Sequence, residues 1–300
     1  MTDGHGYTVP AGTVLGHEFT GEVVGIGPNV VGFAVGDRIA AMPIAGCGSC
    51  RRCLSGEPAW CTAVSYLFGG YAELALVSAT TAVKLPATLS DRDGALVEPL
   101  AVALHGVAMA GLRPGARVLV QGAGPIGLAA LFWAWRLGAG RVDVIEQVPA
   151  RAAIAAASGA TSVAGPRDVA ERDSGEPADP DMTYDLVVEC VGRPGLLMQA
   201  LGELRPGGTI VSLGYCFAPD AIVPASAGRR EARVLFPQLY TASEFRHALD
   251  VLDAGAVGPR NMVTNTVSLD GLPAAFEALR SDPTECKVLI DPFARVAGHG

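Results

Sequence analysis

Cysteines at positions 47, 50, 53 and 61 set the spacing Cys-x2-Cys-x2-Cys-x7-Cys, and no other feature of the chain restricts its folding as strongly. Four thiolates brought together in so short a segment form an all-sulfur tetrahedral cage, and closed sites of this kind are structural zinc sites. Gly46, Gly48, Gly56 and Pro58 interrupt the segment, so it reads as a loop that the metal folds. Two disulfides are the bland alternative, and they require an oxidising compartment. The opening Met1-Thr2-Asp3-Gly4 carries neither the basic nor the apolar stretch of a secretory signal. A nucleic-acid-binding zinc ribbon is a third reading, but only Arg51 and Arg52 are basic nearby, and the net charge is −8.

That charge argues against nucleic acid or an anionic membrane as partner. With 300 residues, half of them apolar, the chain can build two domains. Its longest apolar run ends at Arg136 and falls far short of a membrane span. Cys190, Cys216 and Cys286 are far apart in the chain and read as buried free thiols. A reducing cytoplasm is the expected compartment.

Residues 1–85 are glycine-rich with short apolar runs, such as 21–27, 38–41 and 72–77, which predicts short strands of a small β unit. From Ser90 the texture becomes helical, through Leu96, Leu100, Leu104 and Val107. Strands and helices then alternate, with strands expected at 117–121, 142–146, 185–190 and 209–213. This is the pattern of a doubly wound parallel sheet. A polar, proline-containing loop is expected at 167–181. The tail from Ala242 breaks the alternation and is expected to leave the sheet domain.

Gly122-Ala123-Gly124-Pro125-Ile126-Gly127 closes the first of these strands and opens a helix. In that context G-x-G-x-x-G is a dinucleotide fingerprint: the first glycine makes the turn, the second admits the pyrophosphate, and the third lets helix and strand approach. The pyrophosphate is expected on the amides at the helix start. Glu146, nineteen residues past Gly127, can accept hydrogen bonds from the adenosine ribose and would repel a 2′-phosphate. Gln147 beside it carries no positive charge, so NAD is expected over NADP. The competing reading is a solvated acid at a strand end.

Together these features resemble the zinc-dependent medium-chain dehydrogenase/reductase (alcohol dehydrogenase) superfamily, most closely its sorbitol and threonine dehydrogenase-like members. The carriers are Gly16-His17-Glu18 with Gly21 and Gly27, Gly36-Asp37-Arg38, the cysteine quartet and Gly70-Tyr71-Ala72-Glu73. Glu98-Pro99-Leu100, the 122–127 loop, Glu189-Cys190-Val191-Gly192 and Lys287-Val288 continue the series. The resemblance implies a GroES-like, β-rich catalytic domain interrupted by a Rossmann domain, divided here as residues 1–99, 100–241 and 242–300, the last returning to the catalytic domain. It implies a catalytic zinc held by His17, Glu18 and Glu98, and cofactor contacts from Arg151, Val191 and Leu213 as well as from the loop.

The implied reaction is the NAD-linked oxidation of a secondary alcohol or polyol to a ketone by hydride transfer, with zinc as Lewis acid. Thr2 and His5 match the hydroxyl and imidazole of the proton relay. The family's first zinc ligand is a cysteine, and the matching position falls just before Met1, so an N-terminally truncated catalytic domain is expected, with the catalytic zinc held well only where that cysteine is present and the dinucleotide half intact either way. A small alcohol is the expected substrate, and a homodimer or homotetramer the expected assembly. A zinc-free enone or quinone reductase and a non-catalytic NAD-binding protein are the alternatives, separable by zinc content.

Overall fold

A computed structural model describes residues 10–166, 183–281 and 284–294. Thr2, His5 and the whole of the 167–181 loop lie outside the described residues. The chain forms two compact units, one from Ala103–Pro237 with Thr284–Cys286, the other from Val9–Val102, Gln238–Pro283 and Lys287–Gly300.

The second of these is assembled from short strands. β1 (Thr20–Glu22), β2 (Arg38–Ala41) and β5 (Ala82–Lys84) form an antiparallel sheet with β2 in the centre, and β3 (Ile44–Ala45) pairs with β4 (Ser65–Tyr66). A one-turn helix, α1 (Arg51–Leu54), lies within the cysteine segment. The expected strand at 72–77 does not form: Leu74 and Leu76 are exposed, and among the described residues no strand pairs with them. Residues without a ladder partner cannot hold extended structure by propensity alone. The run at 21–27 shortens likewise: the strand ends at Glu22, and the last bonds of that run join Val23 to Gly36 and Asp37.

Ser90 starts α2 (Asp91–Gly94) with a reciprocal capping box: it accepts from the Asp93 amide while the Asp93 carboxylate accepts from Ser90. α3 (Val97–Met109) follows after a break, so the single helix expected from Ser90 is two.

The other unit is a six-stranded parallel sheet. β6 (Arg117–Gln121), β7 (Arg141–Ile145), β8 (Ser162–Ala164), β9 (Tyr184–Glu189), β10 (Leu204–Ser212) and β11 (Arg233–Leu235) lie in the order β11-β10-β9-β6-β7-β8. Four successive residues of β6, Val118 to Gln121, are buried, as they must be in a parallel sheet covered on both faces. α4 (Pro125–Arg136) and α5 (Pro149–Ala157) each begin with proline, whose missing N–H costs nothing in a first turn. α6 (Leu196–Glu203) packs Leu197, Ala200 and Leu201 against Leu119, Val187 and Ile210 to form the core on one face. Strand order reverses at β6, whose neighbours are β7 and β9, and ligands of such sheets bind beyond the carboxyl ends of the strands at that point.

After Pro237 the chain adds α8 (Ala242–Asp253), α9 (Leu272–Ser281) and a parallel pair, β12 (Val263–Ser268) with β13 (Lys287–Asp291), to the β-rich unit. α7 (Pro224–Arg229) precedes β11 in the sheet unit. Among the described residues no helix is long and apolar enough to cross a membrane.

Candidate active site

In the β-rich unit the four cysteine sulfurs lie within 4.8 Å of one another. Zn–S bonds of about 2.3 Å place tetrahedral sulfur pairs about 3.8 Å apart, and Cys47 Sγ stands 4.0 Å from Cys53 Sγ. Local backbone builds the cage. A Cβ on Gly46 would sit 2.5 Å from Cys53 Sγ, so only glycine leaves room for that sulfur. The Cys50 amide donates to Cys47 Sγ (3.3 Å), and the Cys47 and Ala63 amides to Cys61 Sγ (3.4 Å each). Hydrogen bonds from Ser49, then Cys50, bring the Cys47 thiol down to about 6, whereas desolvation pushes Cys53 up to about 12. Four crowded thiols cannot all ionise unaided. A divalent cation removes that conflict, so the donor set fits zinc.

A second cluster comprises His17, Glu18 and Glu98, whose donor atoms also lie within 4.8 Å of one another. The loop carrying His17 is clamped by main-chain bonds. Gly69 and Gly70 donate to the Gly16 carbonyl (2.9 and 3.0 Å), and Tyr71 donates to Leu15 (2.9 Å). Gly16 has φ 88°, and a Cβ there would stand 2.8 Å from the Tyr71 amide, which accounts for glycine at this position. His17 is exposed and meets Phe68 edge-on, with ring centroids 6.2 Å apart; Phe68 in turn stacks on Tyr66.

Glu98 sits in the first turn of α3, 4% exposed, and accepts from the Tyr240 hydroxyl at 3.2 Å. Glu18 is ion-paired with Lys287, which is itself buried. Burial, then the nearby Glu18 carboxylate, pushes Glu98 up to about 8. Two carboxylates and an imidazole, with Lys287 paired to one of the carboxylates, make a donor set that a divalent cation would satisfy. Tyr240 was not anticipated from sequence, because it lies 142 positions from Glu98. Lys287 was visible only as part of a motif, with no role attached.

The sheet unit holds the dinucleotide loop between β6 and α4. Gly122 has φ 92°, and a Cβ there would come within 2.7 Å of Val191 Cγ2. A Cβ on Gly127 would overlap the Gly122 carbonyl oxygen, whereas one on Gly124 would meet nothing within 4 Å. The outer two glycines are thus required by packing, and the middle one borders open space where a pyrophosphate can approach. Gly124 caps α4, Pro125 fills its first position, and Ile126 and Gly127 complete the first turn.

Glu146 follows β7 and accepts from the Ala123 amide (2.7 Å) and the Val148 amide (2.8 Å). Its carboxylate therefore braces the loop in addition to any contact with a ribose. Arg151 donates from Nε and Nη2 to the Glu285 carbonyl (3.0 and 2.8 Å), and the Cys286 thiol donates to the Ala123 carbonyl (3.7 Å). Residues 284–286 thereby line up behind the loop, a contribution from the chain's end that composition did not reveal. Val191 is 42% exposed beside Gly122, whereas Leu213 is buried against Gly106.

A metal cage, a second His/carboxylate cluster and a nucleotide-binding parallel sheet on one chain define a zinc- and dinucleotide-dependent dehydrogenase class. Comparison with known proteins agrees. Residues 1–87 match the family model "Alcohol dehydrogenase GroES-like domain", and residues 125–254 match "Zinc-binding dehydrogenase". Sorbitol dehydrogenase of Bacillus subtilis (strain 168) is 29% identical over 292 residues, covering 95% of this chain and 83% of the relative. A candidate zinc-binding dehydrogenase from Sinorhizobium meliloti 1021, solved bound to NADP, superposes with a TM-score of 0.81 at 34% identity, covering 93% of this chain and 83% of that one. The 2R,3R-butanediol dehydrogenase of Bacillus subtilis gives 0.79 at 31% identity, with 94% and 82% covered. The chain belongs to the zinc-dependent medium-chain dehydrogenase/reductase (alcohol dehydrogenase) superfamily, in its sorbitol dehydrogenase-like branch.

Proposed function

We propose that this chain is a zinc-dependent, NAD(P)-linked dehydrogenase that oxidises a secondary alcohol or polyol to the corresponding ketone. The observation that carries the reading is the buried, hydrogen-bonded Glu98 within donor distance of His17 and Glu18, on a chain that also holds the dinucleotide loop. His17, Glu18 and Glu98 would hold the catalytic ion, and Cys47, Cys50, Cys53 and Cys61 the structural one. Bound zinc supplies Lewis acidity that lowers the pKa of the substrate hydroxyl.

The protein's own residues prepare that chemistry. Tyr240 orients Glu98, and Lys287 offsets the charge of Glu18. Such outer partners set the orientation and basicity of metal ligands. The 122–127 loop binds the pyrophosphate, and Glu146 favours NAD over NADP because its carboxylate repels a 2′-phosphate. Thr2 and His5 are read as the proton relay, and Arg151 and Leu213 as supports of the cofactor site. A cage of four thiolates suits a reducing compartment, read here as the cytoplasm, and a homodimer or homotetramer belongs to the same reading.

Zinc content and NAD-linked oxidation of sorbitol, xylitol and 2,3-butanediol test this reading. His17→Ala should abolish oxidation while leaving the NADH dissociation constant within about twofold, since removal of a metal ligand does not touch the dinucleotide loop. Undiminished turnover in that variant would refute the assignment of the metal site.

A further inference from the structure

We propose that Glu189 is a positioning residue that sets the β9 wall of the dinucleotide cleft and so governs binding of the nicotinamide half of the ligand separately from its adenosine half. The inference rests on the dinucleotide reading of the sheet unit and assigns a role to a side chain that reading leaves unused.

Glu189 is the last residue of β9 and is 2% exposed. Register places it beside Gln121 of β6 on one side and Ser212 of β10 on the other. Oε1 accepts from the Val191 and Gly192 amides, both at 2.7 Å, and Oε2 accepts from Ser212 Oγ at 3.1 Å. Its main-chain carbonyl accepts from the Leu213 and Gly214 amides at 2.7 and 3.0 Å. One residue therefore ties the turn after β9 to the turn after β10.

The two turns touch through bare backbone. A Cβ on Gly192 would overlap the Gly214 carbonyl, and one on Gly214 would stand 2.7 Å from Glu189 Oε1. Gly192 also has φ 74°, so the turn is a conformation that few residues adopt and that external hydrogen bonds must hold. Removing the carboxylate leaves two turn amides without their acceptor, and orphaned donors of this kind are costly.

The turn displays Val191, whose Cγ2 stands against Gly122 in the loop after β6. β6 and β9 flank the point where strand order reverses, and β7 with Glu146 lies on the opposite side of β6. A dinucleotide crosses such a point with its pyrophosphate over the loop, its adenosine ribose on the acidic residue and its other half across the reversal. The Glu189-held turn thus meets the nicotinamide half and not the adenosine half.

Binding of NADH and of AMP to the full chain, followed by titration calorimetry, separates the possibilities. Glu189→Ala should weaken NADH about tenfold or more, because two amides lose their partner, and change AMP by less than about twofold. Glu189→Gln keeps an acceptor for the turn, and Ser212 Oγ, the partner of Oε2, can accept from the new amide instead of donating. That variant should restore NADH affinity to within about threefold of wild type. Val191→Ala leaves every Glu189 bond in place and should weaken NADH alone, about threefold, which keeps the test decisive should Glu189→Ala not fold. If the wild type binds both ligands and the Glu189 and Val191 variants weaken both equally, or neither, the role of Glu189 is overturned. A wild type that binds neither ligand overturns the dinucleotide reading itself.

Discussion

The Tyr240 hydroxyl donates to Glu98 Oε1 at 3.2 Å, joining the start of α3 to the segment that leads into α8. Tyr240 is held for this contact by stacking on Phe245, with ring centroids 5.6 Å apart, and is itself 2% exposed. A buried carboxylate is thereby aimed by a residue that cannot easily turn away.

Tyr240→Phe should lower zinc affinity at the His17/Glu18/Glu98 site by about tenfold, the usual effect of losing a ligand's outer partner. The cysteine cage should keep its ion. Chelator competition resolves the two sites, and a weak-site affinity equal to wild type would remove Tyr240 from the metal's support.

The same carboxylate predicts a pH dependence. Its ordinary value is 4.5, and in the metal-free fold burial, then Glu18, raises it to about 8. Between those values the folded state holds a proton that the unfolded state has released, so metal-free stability should fall as pH rises through that window. Zinc must displace the same proton, so its affinity should climb up to about pH 8 and then flatten. Glu98→Gln should flatten both profiles. Identical slopes in denaturant unfolding of the chelated wild type and variant would show that Glu98 carries no such shift.

Cys61 is the most enclosed of the four cage residues, 4% exposed, with two amides on its sulfur. Cys61→Ser should reduce zinc by one ion per chain and lower the melting temperature. Chelator, which destabilises the wild type by stripping the cage, should have a smaller effect on the variant. Metal analysis matching the parent would disprove the cage.

Glu146 braces the loop and is also the proposed partner of the ribose, so its removal should act twice. Glu146→Ala should weaken NADH and NADPH together through the freed Ala123 amide, while narrowing the gap between them. Adding Gln147→Arg should then shift preference toward NADPH, since a guanidinium pairs with a 2′-phosphate. Fluorescence titration of each cofactor gives the ratio. If it stays constant across the series, Glu146 does not select the cofactor.

The two chemistries of this protein were legible along the chain because each is encoded locally. A cysteine cage and a G-x-G-x-x-G turn are built from residues a few positions apart, where spacing and glycine's freedom dictate the geometry. The alternation of strand and helix was legible for the same reason, since periodicity is a short-range property. Strand existence was less secure: Leu74 and Leu76 have the composition of a strand, yet pairing is decided by a neighbour that the sequence does not name.

What only the tertiary structure decided are the partners of groups already singled out. Glu98, Glu146 and Glu18 stood out in sequence, but Tyr240, the Ala123 amide and Lys287 became their partners through folding across as many as 269 positions. Residue type and spacing determine which groups can do chemistry here. Burial and long-range contact, which depend on how strands and helices close on one another, determine the charge each group carries and which way it points.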